Sequence, residues 1–126
     1  MMPAATNYDL FSIIQITHGE GSVLSALSIN PASNILNGHF PGHPVVPGAC
    51  MLQIVKEVLE SALACSFLLK KADHLKFMSL IEPENNREAQ LEIVYREAAE
   101  GDVNVNAKLS VGETVCFKLQ GSFLRL

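Results

Sequence analysis

Apolar and polar residues alternate along most of this chain, and one segment near its middle does not. LFSIIQIT, residues 10–17, is rich in β-branched side chains and predicts a strand. HGEG marks a turn in which Gly19 and Gly21 supply conformational freedom, and SVLSALSI predicts the returning strand. NPASN then breaks the regularity, with Pro31 ending strand pairing. In FPGHPVVP, Pro41, Pro44 and Pro47 each fix φ and remove a backbone donor, which makes this a stiff loop. From about Gly48 to Ala64 the period becomes helical. Met51, Val55, Val58 and Ala62 form one stripe, with Leu52, Leu59 and Leu63 beside it and Gln53, Lys56, Glu57 and Glu60 opposite. Pro47 is well placed at the first turn of that helix.

Four strands are predicted after the helix. HLKFMSLI is followed by the turn-rich EPENN. AQLEIVYRE puts Leu91, Ile93 and Tyr95 on one face. DVNVNAKLS alternates through Val103, Val105, Ala107 and Leu109. After the tight connection VGET, VCFKLQGSF alternates through Val115, Phe117 and Leu119, with Gly121 marking a bulge or bend. Two strands, one long helix and four strands make an α+β domain spanning residues 1–126. The expected packing is a curved antiparallel sheet of about six strands wrapped around one buried central helix. One helix is too little cover for such a sheet, so a second copy is expected on its bare face or edge, giving a homodimer or higher homo-oligomer.

Composition narrows the function classes. The chain has 126 residues, 48 % of them apolar, which suits one globular domain able to fold without metal or disulfide. A net charge of −4, with no basic run longer than Lys70–Lys71, argues against nucleic acid as a partner. Cys50, Cys65 and Cys116 are odd in number, widely spaced and outside any C-x-x-C pair, which fits small buried thiols in a reducing compartment. MMPAATNYDLF has neither a basic n-region nor a long apolar run, so no secretion signal is expected and the expected location is cytoplasmic. No stretch reaches the ~20 apolar residues needed to span a bilayer.

The irregular segment, NGHFPGHPVVPGACMLQIVKEVLE, carries the candidate chemistry. His39 is held between Gly38 and Phe40-Pro41-Gly42, and histidine both takes and gives protons near neutral pH. Gly48 falls at the helix start, where backbone N–H groups and the helix dipole favour developing negative charge. A base beside such an oxyanion site is the minimum needed to remove a proton next to a carbonyl. A lone loop histidine is more often structural, and a Pro/Gly-rich loop before a helix is usually a turn.

The order of these residues closely resembles the signature of the β-hydroxyacyl-acyl-carrier-protein dehydratases of fatty-acid synthesis. The resemblance rests on GHFPGHPVVPG, extends over INPASNILNGHFPG and is weaker at LKFMSLIEPEN, covering about half of the chain. It implies a hotdog fold, a 3-hydroxyacyl-thioester substrate carried by acyl carrier protein, and no metal or other cofactor. It assigns His39 as catalytic histidine and the Gly48 N–H as donor to the thioester oxygen. Phe40, Pro41 and Gly42 shape the loop, Pro47 precedes the helix, and Val45 and Val46 help line the acyl tunnel. His43 matches a variable position and is expected to be structural or exposed. The site is expected at the dimer interface, with the histidine of one subunit working with the helix residue of the other. Lys70, Lys71, Lys76 or Arg87 could meet an acidic carrier, or be scattered solubilising charge.

The chain departs from the resemblance at the helix residue, where the family has Glu or Asp and this sequence has Gln53. Glutamine has no titratable proton and can only orient a hydroxyl or a water. Three accounts follow. His39 takes the α-proton and returns it to the leaving hydroxyl; or Glu57, about 6 Å further along the helix, replaces the acid; or the domain is an acyl-thioester-binding subunit that does not dehydrate. Glu57 also fits a solvated surface carboxylate. Thioester hydrolysis is a further class for this fold, but no carboxylate in the segment is placed to direct water at the carbonyl.

Overall fold

The computed structural model describes residues 9–37, 44–98 and 101–126. Strands β1 (Phe11–Gly19) and β2 (Ser22–Ile29) form the first hairpin, and the helix α1 runs Gly48–Leu63. Strands β3 (Phe67–Phe77), β4 (Glu88–Glu97), β5 (Val103–Val111) and β6 (Thr114–Arg125) follow. All six strands join one antiparallel sheet in the order β1-β2-β4-β5-β6-β3, packed around the single helix as a hotdog fold.

Alternation drives the centre of this sheet. Leu91 and Ile93 of β4, Val103, Val105, Ala107 and Leu109 of β5, and Phe117, Leu119 and Phe123 of β6 all turn inward and are buried. They form one core with Met51, Ile54, Val55, Val58 and Leu59 of α1. The helix buries a slightly different stripe from the expected one. Cys50 and Ile54 are inside, while Leu52, Ala62 and Leu63 are only partly covered. Tyr95 and Val115, expected on inward faces, are half-covered. The helix ends as its sequence suggests, after Leu63, with Ala64 in the left-handed region at φ 55° and its N–H donating to the Glu60 carbonyl.

Two expectations need correction. The strand predicted at HLKFMSLI begins seven residues earlier and stops at Phe77. SFLLKKAD has no inside–outside rhythm because β3 is an edge strand whose residues beyond Leu69 are exposed on both faces. Gly121 does not itself bulge. A Cβ there would lie 2.3 Å from the Lys71 carbonyl oxygen, so glycine lets β3 approach β6 closely. The irregularities fall on β3 instead, between Leu69 and Lys71 and between Ala72 and His74. A short 3₁₀ turn at Asn34–Leu36 had no sequence prediction. It is begun by Ser33, whose hydroxyl donates to Asp9 at 2.7 Å and accepts from the Ile35 N–H.

Candidate functional site

Pro47 caps α1 with extended backbone, φ −63° and ψ 145°, and supplies no side-chain hydrogen bond to the helix start. Its carbonyl accepts from the Cys50 and Met51 N–H groups, and the Gly48 N–H has no partner among the described residues. A helix start left this way keeps its donors and its partial positive charge for an incoming anion or carbonyl oxygen.

An apolar cavity of about 380 Å³ opens on this end of the helix, lined by Val46, Gly48, Met51, Phe77, Met78, Ser79 and Leu80. Three backbone hydrogen bonds hold its walls together. Val46 N–H donates to Ile81 at 2.9 Å, and Met78 and Ser79 N–H both donate to Cys116. The Phe77 ring stacks on Phe117, with centroids 5.2 Å apart, and lies over Gly48 so closely that a Cβ there would sit 2.7 Å from ring carbons. Glycine at 48 therefore has two consequences. It admits the aromatic wall, and it keeps the helix start bare.

Of the residues singled out from sequence, Gly48 and Val46 line this cavity. Val45 is buried beside it and Pro47 is half-buried, but neither is among the lining residues. Gln53 and Glu57 are half-buried one turn apart, and neither lines the cavity. At 100° per residue, Gln53 lies roughly 140° around the axis from Gly48. His39, Phe40, Pro41, Gly42 and His43 fall outside the described residues. The other two histidines lie elsewhere: His18 Nε2 meets the Tyr95 hydroxyl at 2.6 Å, and His74 is exposed on β3.

Burial, and secondarily the nearby Glu57 carboxylate, push the Cys50 thiol above its ordinary range; burial does the same for Cys116. These thiols are protonated at neutral pH, so they are poor nucleophiles. Among the described residues, no three His, Cys, Asp or Glu side chains gather as a metal site.

Phe77, Met78 and Leu80 were missed as site residues. The signal was present in KFMSLI, an almost unbroken apolar run. Read as part of a strand, the run gives no hint that Phe77, Met78 and Leu80 stand half-exposed at the helix start.

Against known proteins, a family model described as "ApeI-like: ApeI dehydratase" matches residues 15–116, most of the chain. The chain belongs to the ApeI-like dehydratase family. It is also 27 % identical over 119 residues to the 3-hydroxyacyl-[acyl-carrier-protein] dehydratase FabZ of Syntrophomonas wolfei, across 85 % of this chain and 81 % of that protein. Among solved structures it resembles the dehydratase heterocomplex ApeI:P of Xenorhabdus doucetiae, with TM-score 0.77 and 17 % identity over 90 % of this chain and 97 % of that one. The E. coli PaaI protein of the phenylacetic acid degradation operon shares the fold at TM-score 0.67 and 12 % identity, over 97 % and 84 % of the two chains. Fold is therefore common to proteins from different settings, and the family match carries the dehydratase assignment. Among the described residues, no helix is long and apolar enough to cross a membrane.

Proposed function

We propose that this protein eliminates water from a 3-hydroxyacyl thioester held on acyl carrier protein, giving the trans-2-enoyl thioester. The uncapped helix start at Gly48, opening on an apolar cavity, is the observation that carries this reading. In the proposed reaction the thioester oxygen accepts from the Gly48 N–H. His39 removes a proton from C2, and negative charge builds on that oxygen. The C3–O bond then breaks, and the hydroxyl leaves with the proton returned by the His39 imidazolium. Proton, electron pair and leaving group balance, with water and the enoyl thioester as products.

Gln53 has the role of positioning the C3 hydroxyl, donating to it and accepting from it without transferring a proton. Gly48 and Gln53 face different sides of one helix, which suits a site shared between two copies: each helix gives its N–H to one site and its glutamine to the other. The bare edge strand β3 supports such pairing. Phe77, Met78 and Leu80 are 52 to 71 % exposed beside the helix start, and Leu75 further along β3 is 41 % exposed. A second reading follows from Gln53 together with the neighbour that is a heterocomplex: the chain pairs with a related subunit whose helix supplies the missing acid.

The test is to incubate the purified chain with a 3-hydroxyacyl thioester and follow loss of water by mass and free thiol by titration. Water loss without thiol release supports the reading, and thiol release alone would replace it with thioester hydrolysis. Gln53→Glu, nearly isosteric, is expected to raise turnover at least ~10-fold by restoring a general acid. No gain there, with collapse in Glu57→Gln, would move the acid to Glu57. Inactivity of both parent and Gln53→Glu would favour the paired-subunit reading.

A further inference from the structure

The face of the sheet turned away from the helix carries a second feature, remote from the helix start. Register sets three lysines side by side on adjacent strands: Lys76 of β3 opposite Lys118 of β6, and Lys118 opposite Lys108 of β5. A parallel row holds three hydrogen-bonding side chains, His74 opposite Gln120 and Gln120 opposite Asn106. All six are exposed and line one groove of about 490 Å³. Their neighbours Phe117 and Leu119 point the other way, into the core. At a strand spacing of ~4.8 Å the three lysines span about 10 Å.

This arrangement costs the fold stability. Like charges directly opposite one another in a sheet are destabilising, and alternating signs would keep the face equally wet. Only Lys108 has a counter-charge, Glu92 at 3.3 Å. Lys76 and Lys118 have no ion-pair partner among the described residues. Three of the nine Lys and Arg residues are thus concentrated in one row of a chain whose net charge is −4. The groove has the volume of a small-molecule site rather than the extent of a protein interface. Val94, half-exposed at the end of the second row, offers an apolar wall.

We propose that this groove binds a small polyanion carrying two or more phosphate groups, with the lysine row holding the phosphates and Gln120 and Asn106 donating alongside. Lysine is suited to phosphate as a point charge with three donors. Inorganic polyphosphate and a nucleoside polyphosphate share this chemistry.

The probe is inorganic tripolyphosphate, with binding read by calorimetry and by thermal unfolding. Binding should raise the midpoint of the parent, since a ligand bound only to the native state stabilises it. Lys118→Gln should weaken binding about tenfold or more, for the loss of a charge-assisted bond. Lys71→Gln, on β3 with Lys76 but paired with Asp73, should leave it unchanged. Without ligand, Lys118→Gln should unfold at a slightly higher temperature than the parent, because the repulsion is relieved. A lysine with a structural role would give the opposite shift. Competition by a nucleoside triphosphate at equal or better affinity would assign the site to phosphate esters. Its failure to compete would assign the site to the inorganic chain, and either result keeps it. The proposal is overturned if sulfate at matched ionic strength gives the same midpoint shift, if Lys118→Gln binds as the parent does, or if a poly-glutamate peptide binds where tripolyphosphate does not.

Discussion

Strands β5 and β3 flank the same neighbour, β6, one on each side. In β5 every second residue, Val103, Val105, Ala107 and Leu109, is buried under the helix. In β3 only Phe67 is buried, and Leu75 and Phe77, on the inner face, are 41 % and 53 % exposed. The two strands have comparable apolar content but different cover, because β5 lies inside the sheet between β4 and β6 and β3 lies at its edge. The uncovered part includes the wall of the cavity at the helix start. Apolar side chains left bare beside a set of free backbone donors mark the region where substrate and a second subunit are expected, whereas the same residue types under the helix are core.

Three substitutions break or sharpen this contrast. Leu109→Ala, at a fully buried position in β5, should cost about 2–5 kcal/mol in denaturant unfolding; a loss under ~1 kcal/mol would mean that the centre is not tightly packed. Gly121→Ala should cost about 1–3 kcal/mol and loosen β3 from β6, because its Cβ meets backbone at 2.3 Å rather than a movable side chain. Hydrogen exchange should then rise along β3 while β4 and β5 stay protected. Leu80→Glu, 71 % exposed on the rim, should move folding stability by less than ~0.5 kcal/mol. It should nevertheless shift the light-scattering mass from dimer to monomer. A parent that is already monomeric at micromolar concentration would remove the shared-site account.

The same contrast explains what the sequence revealed. The β2, β4, β5 and β6 segments were legible because half-buried strands must alternate, and Ser22–Ile29 was delimited as observed. The helix was legible from its period and from Pro47 before it. β3 was legible only at its C-terminal end, from His74 to Phe77, since its exposed N-terminal part has no periodic signature and its lysines disguise it as loop. Gly48 was recognisable as a helix start from Pro-Gly alone, but what its missing Cβ makes room for, the Phe77 ring, is a contact across 29 positions. Gln53 stood out only through the resemblance, which implies an acid at that position. Its orientation away from Gly48 needed the helix, and His39 lies outside the described residues.

The most direct test of a dehydratase site divided between two copies is a mixing experiment. His39→Ala and Gln53→Ala are purified separately, each assayed for water loss, then mixed, exchanged and assayed again. Each variant alone should be strongly impaired, because every site in it lacks one of the two groups. In a mixed dimer one site lacks both and the other regains both, so statistical exchange should restore about a quarter of the parent activity. Full exchange without any recovery, or a His39→Ala variant as active as the parent, would contradict the account.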